Sequence, residues 1–145
     1  MNAPQPYSAI QPYVFFEGRC EEAVQFYQRA LDAKVEMLMR YKDSPEPAPG
    51  IPGEKVMHGA LRIQDAQLLV SDGHCSGKPS FQGVSIALTA KDDAQTKRFF
   101  GALADGGKVL QPLIGTFFSS SFGMVTDKFG VQWMLVSAEK EGSHG

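Results

Sequence analysis

Two stretches of this chain are versions of one another. EEAVQFYQRALDAKV at 21–35 aligns with DDAQTKRFFGALADGGKV at 92–109. Each runs through an acidic pair, an alanine, an aromatic pair, an Ala-Leu pair and a Lys-Val start to the next strand. Amphipathic helices share composition, so a helix match alone could be coincidence. Agreement of the strands around both helices argues for duplication. A period of about 70 residues in two copies is too long and too few for a solenoid. Two copies call instead for a pseudo-symmetric pair of sheets around a shared concavity.

Residues 10–17, IQPYVFFE, read as an aromatic and β-branched strand closed by a turn at Gly18-Arg19. Ala23, Phe26, Tyr27, Ala30 and Leu31 then fall at helical spacing on one stripe. Glu21 and Glu22 sit in the first turn, where they favour the helix dipole. Lys34–Tyr41 reads as a strand with Val35, Met37 and Met39 on one face. The segment DSPEPAPGIPG at 43–53 is a loop that could cover a site. Strands at 55–63 and 66–71 follow, joined at Gln64-Asp65.

A polar, Gly- and Ser-rich link at 72–82 leads to a strand at 84–90. Asp92 and Gln95 form a capping pair for a second helix, whose apolar patch is Phe99, Phe100 and Leu103. Gly106-Gly107 ends it. Strands at 108–113, 117–126 and 131–137 complete the chain, with an Asp127–Gly130 turn between the last two. Ser119–Ser121 reads as polar edge surface. The order is β-α-β-β-β twice. The expected class is α+β: one domain over 1–145, with module one at about 7–72 and module two at about 83–138. Together they would form a cup-shaped, partly closed mixed sheet with its helices outside.

A length of 145 residues suits one domain. The formal net charge of -2 gives no basic surplus, so neither nucleic acid nor a membrane surface is an expected partner. No apolar run is long enough to span a bilayer. Met1–Ser8 carries neither a basic residue nor an apolar stretch, so no secretory signal is expected. Cys20 and Cys75 make no disulfide framework, and the expected setting is the cytoplasm. The acidic neighbours of Cys20 argue for a structural thiol rather than a reactive one.

Several pieces in combination resemble a known family. They are Tyr13-Val14-Phe15-Phe16 with Gly18, Cys20-Glu21-Glu22-Ala23, Phe26-Tyr27, Met57-His58, Ser71-Asp72, and FGMVTDKFGVQWML at 122–135. The chain is similar to the vicinal oxygen chelate (glyoxalase, bleomycin resistance, dioxygenase) superfamily. It looks most like the PhnB-like branch, also labelled "3-demethylubiquinone-9 3-methyltransferase-like". The methyltransferase label is not carried over, because no Gly-rich strand-to-helix turn is present.

Metal-dependent members of the superfamily hold a divalent ion through His and Glu on the first and fourth strands of each half. The resemblance places those positions at Pro12 (or Gln11), Leu69, Ser85 and Met134. Proline and leucine offer no donor, neutral serine is a poor one, and a thioether is soft. The usual metal site is therefore expected to be absent, with no cofactor and a divalent metal left as an open alternative. His74, beside Asp72 and Cys75, reads as a loop polar group rather than a zinc ligand, and His144 as a tail residue.

Strand alternation then gives the cavity candidates. Gln67 and Ser71 accompany Leu69, Ala87 accompanies Ser85, and Gln132 and Val136 accompany Met134. Trp133 points the other way, toward Phe26 or Phe99. The expected lining is Gln11, Gln67, Leu69, Ser71, Ser85, Gln132 and Met134, a mixture that fits a small organic ligand. His58 is the weak candidate for acid-base work, and Asp72 either orients it or caps a turn. Three functions follow: a metal-free small-molecule binder, a metal-dependent lyase, isomerase or dioxygenase with a displaced site, or an assembly whose cavity is filled by its own side chains. The resemblance also implies a homodimer.

Overall fold

The computed structural model describes residues 10–46, 48–75 and 77–139. Met1–Ser8 and His144 lie outside them. The strands are β1 (Tyr13–Phe15), β2 (Lys34–Arg40), β3 (Val56–Ile63), β4 (Ala66–Ser71), β5 (Ile86–Ala90), β6 (Lys108–Ile114), β7 (Phe122–Thr126) and β8 (Gln132–Ser137). The helices are α1 (Cys20–Leu31) and α2 (Asp93–Ala104). They form two four-stranded mixed sheets rather than one closed barrel, ordered β1-β4-β3-β2 (sheet A) and β5-β8-β7-β6 (sheet B). β1 runs parallel to β4 and β5 to β8, and the remaining pairs are antiparallel. This is the expected α+β architecture of two βαβββ modules.

The repeat extends to local irregularities that helix composition does not dictate. After Lys34-Val35 the β2–β3 register slips at Glu36, and after Lys108-Val109 the β6–β7 register slips at Leu110. Such bulges bend and twist an edge strand. The slip also corrects one expected face. Val35 lies opposite Leu61 and Met37 opposite Ala60, so the two side chains point to opposite sides of the sheet. Both helix starts are tied to the end of their own sheet by a carboxylate. Asp72, just past β4, accepts from Gly18 N (2.8 Å) and Cys20 N (2.7 Å). Glu139, just past β8, accepts from Asp93 N at 3.0 Å.

The expected stripe of α1 is buried throughout, and so is the Phe99, Phe100 and Leu103 patch of α2. Asp92 caps α2 by accepting from Gln95 N at 2.8 Å. One core cluster runs through both modules. At its centre Asp127 Oδ2 accepts from Tyr27 Oη (2.5 Å) and Trp133 Nε1 (2.9 Å), while Oδ1 accepts from Phe129 N (2.9 Å) and Val131 N (3.1 Å). This residue of module two therefore fixes the α1 helix of module one. Trp133 is core as expected, but it meets Tyr27, at 5.4 Å between ring centroids, rather than Phe26 or Phe99.

Two expectations need correction. The strand expected over 117–126 begins only at Phe122. Ser119–Ser121 is not edge surface, because Ser119 is fully buried and its Oγ donates to Ser137 O at 2.8 Å. Ser120 Oγ donates to Asp93 Oδ1 at 2.5 Å. The serines thus spend their polar groups stitching the β6–β7 link to β8 and α2, and those bonds replace a ladder. Among the described residues no helix is long and apolar enough to cross a membrane.

Candidate functional site

Alternation in β1 sends Val14 and Phe16 under α1 and leaves Tyr13 and Phe15 on the open face of sheet A. There the two rings stack, 4.7 Å between centroids and 17° between planes. Tyr13 lies opposite Leu69, and Phe15 opposite Ser71. The Tyr13 hydroxyl lies 2.6 Å from His58 Nδ1 and donates to it when the imidazole proton sits on Nε2. Burial, with Tyr41 and Cys20 adding smaller contributions, raises the Tyr13 phenol above its ordinary pKa. It therefore stays protonated and able to donate near neutrality.

Beside this pair opens a cavity of about 460 Å³. Tyr13, Phe15, Glu17, Tyr41, Ser71 and His74 are among its lining residues. Tyr41 arrives from the 3-10 turn (Tyr41–Asp43) that opens the β2–β3 loop, and its hydroxyl donates to Gly73 O at 2.5 Å. Tyr41 ends the strand expected over 34–41, and no described residue of the proline-rich loop expected at 43–53 is among the lining residues. Ser71 Oγ accepts from Gly73 N at 2.9 Å. Gly73 has φ +60, and a Cβ there would lie 2.3 Å from Glu17 Oε2, so glycine lets the chain turn tightly against the cavity edge.

The expected lining residues divide between the sheets. Gln11, Gln67, Leu69, Ser71 and His58 lie on or beside sheet A. Gln11 Nε2 donates to Gln67 Oε1 at 2.6 Å, and Gln67 Nε2 to Glu36 Oε1 at 2.8 Å, continuing to Arg62 Nε, which donates to Glu36 Oε2 at 2.7 Å. This polar row crosses the same face as the Tyr13 and Phe15 rings. On sheet B, Met134 sits between Ala87 and Met124. Gln132 borders a groove of about 210 Å³ with Pro12, Tyr13 and Ile86. Ser85 is exposed, one residue before β5. Among the expected residues only Ser71 lines the cavity of about 460 Å³. A groove of about 210 Å³ between Gln67 and Ala87 marks the junction of the sheets.

Asp72 does not orient His58. Its carboxylate is buried and accepts from Gly18 N, Cys20 N and Val56 N, so it serves the backbone. Held inward this way, it is also unavailable to a ligand cluster with the exposed His74. Cys20 is fully buried, and burial pushes its thiol well above the ordinary range, as suits a structural cysteine.

A divalent ion at the positions the superfamily uses would meet Leu69 against Tyr13 and Met134 against Ala87 and Met124. These side chains do not fit a hard cation. Among the described residues no three of His, Cys, Asp and Glu converge on a common point.

Tyr13 and Phe15 were legible as motif residues but not as the floor of a site. The signal was available: Leu69 facing the cavity implies that its parallel neighbour in β1 faces it too. Tyr41 and Glu17 had no such signal, because turns outside the ladder place them.

Residues 8–136 match the model of the family described as 3-demethylubiquinone-9 3-methyltransferase. The chain is 36% identical over 136 residues to protein YjdN of Escherichia coli (strain K12), spanning 87% of this chain and 92% of YjdN. Among solved structures, protein PA1353 from Pseudomonas aeruginosa shares 39% identity at a TM-score of 0.79, covering 91% of this chain and all of that one. The PhnB protein from Bacillus cereus shares 29% at a TM-score of 0.75, covering 90% and all of that chain. A glyoxylase/bleomycin resistance protein/dioxygenase domain from Frankia sp. EAN1pec, 14% identical with a TM-score of 0.61 over 98% of this chain and 97% of that one, shares the fold. Paired βαβββ sheets, the family match and these relatives agree, and the chain belongs to the PhnB-like family described as 3-demethylubiquinone-9 3-methyltransferase, on the glyoxalase/bleomycin resistance/dioxygenase fold.

Proposed function

We propose that the protein binds a small organic molecule on the open face of sheet A, without the divalent ion of its metal-dependent relatives. The cavity of about 460 Å³ carries this reading, since its size and its mixture of rings and polar groups suit a small ligand. The stacked Tyr13 and Phe15 offer apolar area, while Ser71, Tyr41 and the Tyr13–His58 pair offer polar contacts. His58 lies outside the cavity lining and would reach a proton of the bound molecule through the Tyr13 hydroxyl.

Methyl transfer is not part of this reading, whatever the family is called. The turn into α1 holds the single glycine Gly18, and the turn into α2 is Lys91-Asp92. A dinucleotide-type cofactor fold instead places a glycine-rich turn at such a junction. Two cysteines without a partner fit a reducing, cytoplasmic setting. Exposed Met37, Ile114 and Phe117 on and beside the sheets fit a homodimer that covers part of this surface.

The test pairs metal analysis with thermal shift across a panel of small metabolites. The expected result is a substoichiometric content of Zn, Ni, Mn and Fe, with at least one organic compound raising the melting temperature equally with and without EDTA. A stoichiometric divalent ion whose removal abolishes the shift would replace this reading with a metal-dependent lyase, isomerase or dioxygenase using a displaced site.

A further inference from the structure

The hydroxyl groups of the cavity on sheet A direct their own protons away from it. The Tyr13 hydroxyl lies 2.6 Å from His58 Nδ1. An imidazole nitrogen is a far stronger base than a phenol oxygen, and a phenol is a stronger acid than a neutral imidazole. With a neutral imidazole, the proton order is therefore Tyr13 Oη to His58 Nδ1. The Tyr41 hydroxyl donates to Gly73 O at 2.5 Å. Ser71 Oγ accepts from Gly73 N at 2.9 Å, and its proton is directed at the buried Val56 O, 3.5 Å away. Burial raises the pKa of both phenols, and the Ser71 hydroxyl acts on each in the opposite sense, so the three oxygens lie together. What they leave for a ligand is lone pairs. Among the described lining residues, the side chain that keeps a proton to donate is the exposed His74. Glu17, a carboxylate with an interaction of its own, is not needed for this bias.

A hydroxyl that donates to one neighbour becomes a better acceptor for the next, because chained hydrogen bonds polarise one another. A ligand that covers such an oxygen without donating to it leaves a desolvated acceptor unpaired, which weakens the complex. An acceptor ligand would have to draw the Tyr13 proton off His58 and leave Nδ1 without its donor. The rings set a shape as well. Tyr13 and Phe15 stack with 17° between planes, and offset stacking favours a further flat ring beside them. Resting on the small-molecule reading above, we infer that this cavity selects a flat molecule that donates hydrogen bonds, through N–H or O–H groups on the edge of an aromatic ring system, over molecules of the same shape that only accept. The donor edge would meet Tyr13 Oη and Tyr41 Oη, and the ring would lie against Phe15.

The experiment follows backbone amides of the full-length protein by NMR at about pH 8, where an ordinary imidazole is neutral. The probes are indole, which donates through its N–H; benzofuran, its isostere with oxygen in that place; and benzoxazole, of the same shape but with a ring nitrogen that accepts. Indole should give saturable shifts at Phe15, Ser71, Gly73 and His74, and should bind about fivefold or more tighter than either of the others. Tyr13→Phe should weaken indole about threefold or more and leave benzofuran nearly unchanged. His58→Leu removes the acceptor that holds the Tyr13 proton, so it should strengthen benzoxazole relative to indole. A merely structural role for His58 would not produce that reversal. Unchanged melting temperatures would show that both variants fold, and the ranking of the probes on the unsubstituted protein tests the inference without them. Equal binding of indole and benzofuran, tighter binding of benzoxazole, or an indole affinity indifferent to Tyr13→Phe would overturn the donor preference. If a panel metabolite or benzofuran shifts the same amides while indole does not, the small-molecule reading stands and the donor inference falls. If neither these probes nor the metabolite panel shifts those amides, both fall.

Discussion

Single buried side chains tie distant parts of this chain together. Asp72 takes three backbone N–H groups from two segments, two at the entry to α1 (Gly18 and Cys20) and one at the start of β3 (Val56). Removing it would leave three donors without their acceptor in the interior. Hydrogen bonds to a charged acceptor contribute about 1.5–3 kcal/mol each, though not additively. Asp72→Ala is expected to lose at least about 3 kcal/mol in urea unfolding, and Asp72→Asn less. Tyr27 makes a similar point with its phenol. Burial, aided by the Asp127 carboxylate, holds its pKa well above the usual value. The unfolded chain releases this proton above about pH 10, whereas the folded chain keeps it. The folded state then binds more protons, so stability is complete below that pH and falls as pH rises past it. Tyr27→Phe should lose about 1–2 kcal/mol at neutral pH and show a shallower decline in the alkaline range. An equal alkaline slope in both proteins would assign the decline to other groups. Sequence reasoning saw Asp72 and Trp133 as noteworthy, but their partners lie 52 and 106 positions away along the chain, counted from Asp72 to Cys20 and from Trp133 to Tyr27. No local pattern encodes that.

Helices and central strands were legible because their periodicity is set by burial on one side. The α1 stripe, the Asp92–Gln95 cap and β4 all appear where the residue pattern puts them. Edge strands were less legible. In β2 and β6 most side chains are exposed, so little burial disciplines the alternation, and a bulge in each slips the register. The start of β7 was misplaced because Phe117 and Phe118 mimic strand residues while the serines after them bond to Ser137, Asp93 and one another. A close approach on β7 yields a prediction for this scale. A Cβ at Gly123 would lie 2.7 Å from Phe100 Cε2 of α2, 2.8 Å from Leu113 Cδ2 and 3.0 Å from Gln111 O. Gly123→Ala must push α2 or β6 away from β7, and overpacking of this kind costs about 1–3 kcal/mol. Thermal unfolding of that variant checks it, and an unchanged melting temperature would mean that α2 yields freely.

For the whole molecule, the duplication legible in two helices reaches the sheet order, the bulges and the carboxylate ties at both helix starts. The candidate site was only half legible, because the two modules have diverged where they meet solvent. Sheet A carries the Tyr13–Phe15–His58 constellation and a row of polar side chains, whereas the open face of sheet B is built around Met124, Met134 and Val136. Transferring superfamily positions by symmetry therefore drew residues from both sheets, and the larger cavity draws on one. Light scattering on the purified protein should give about twice the 15.8 kDa chain mass, as the exposed Phe117 and Phe118 rings outside the cavity suggest. A concentration-independent monomer would leave those rings to be explained by another partner. The most direct measurement is a crystal structure of the protein soaked with the compound that stabilises it most. Metal-free organic ligation predicts density for that compound against Tyr13 and Phe15, with no ion coordinated by the protein. A divalent cation gripped by two or more side chains, with the compound bound to it or placed elsewhere, would contradict it.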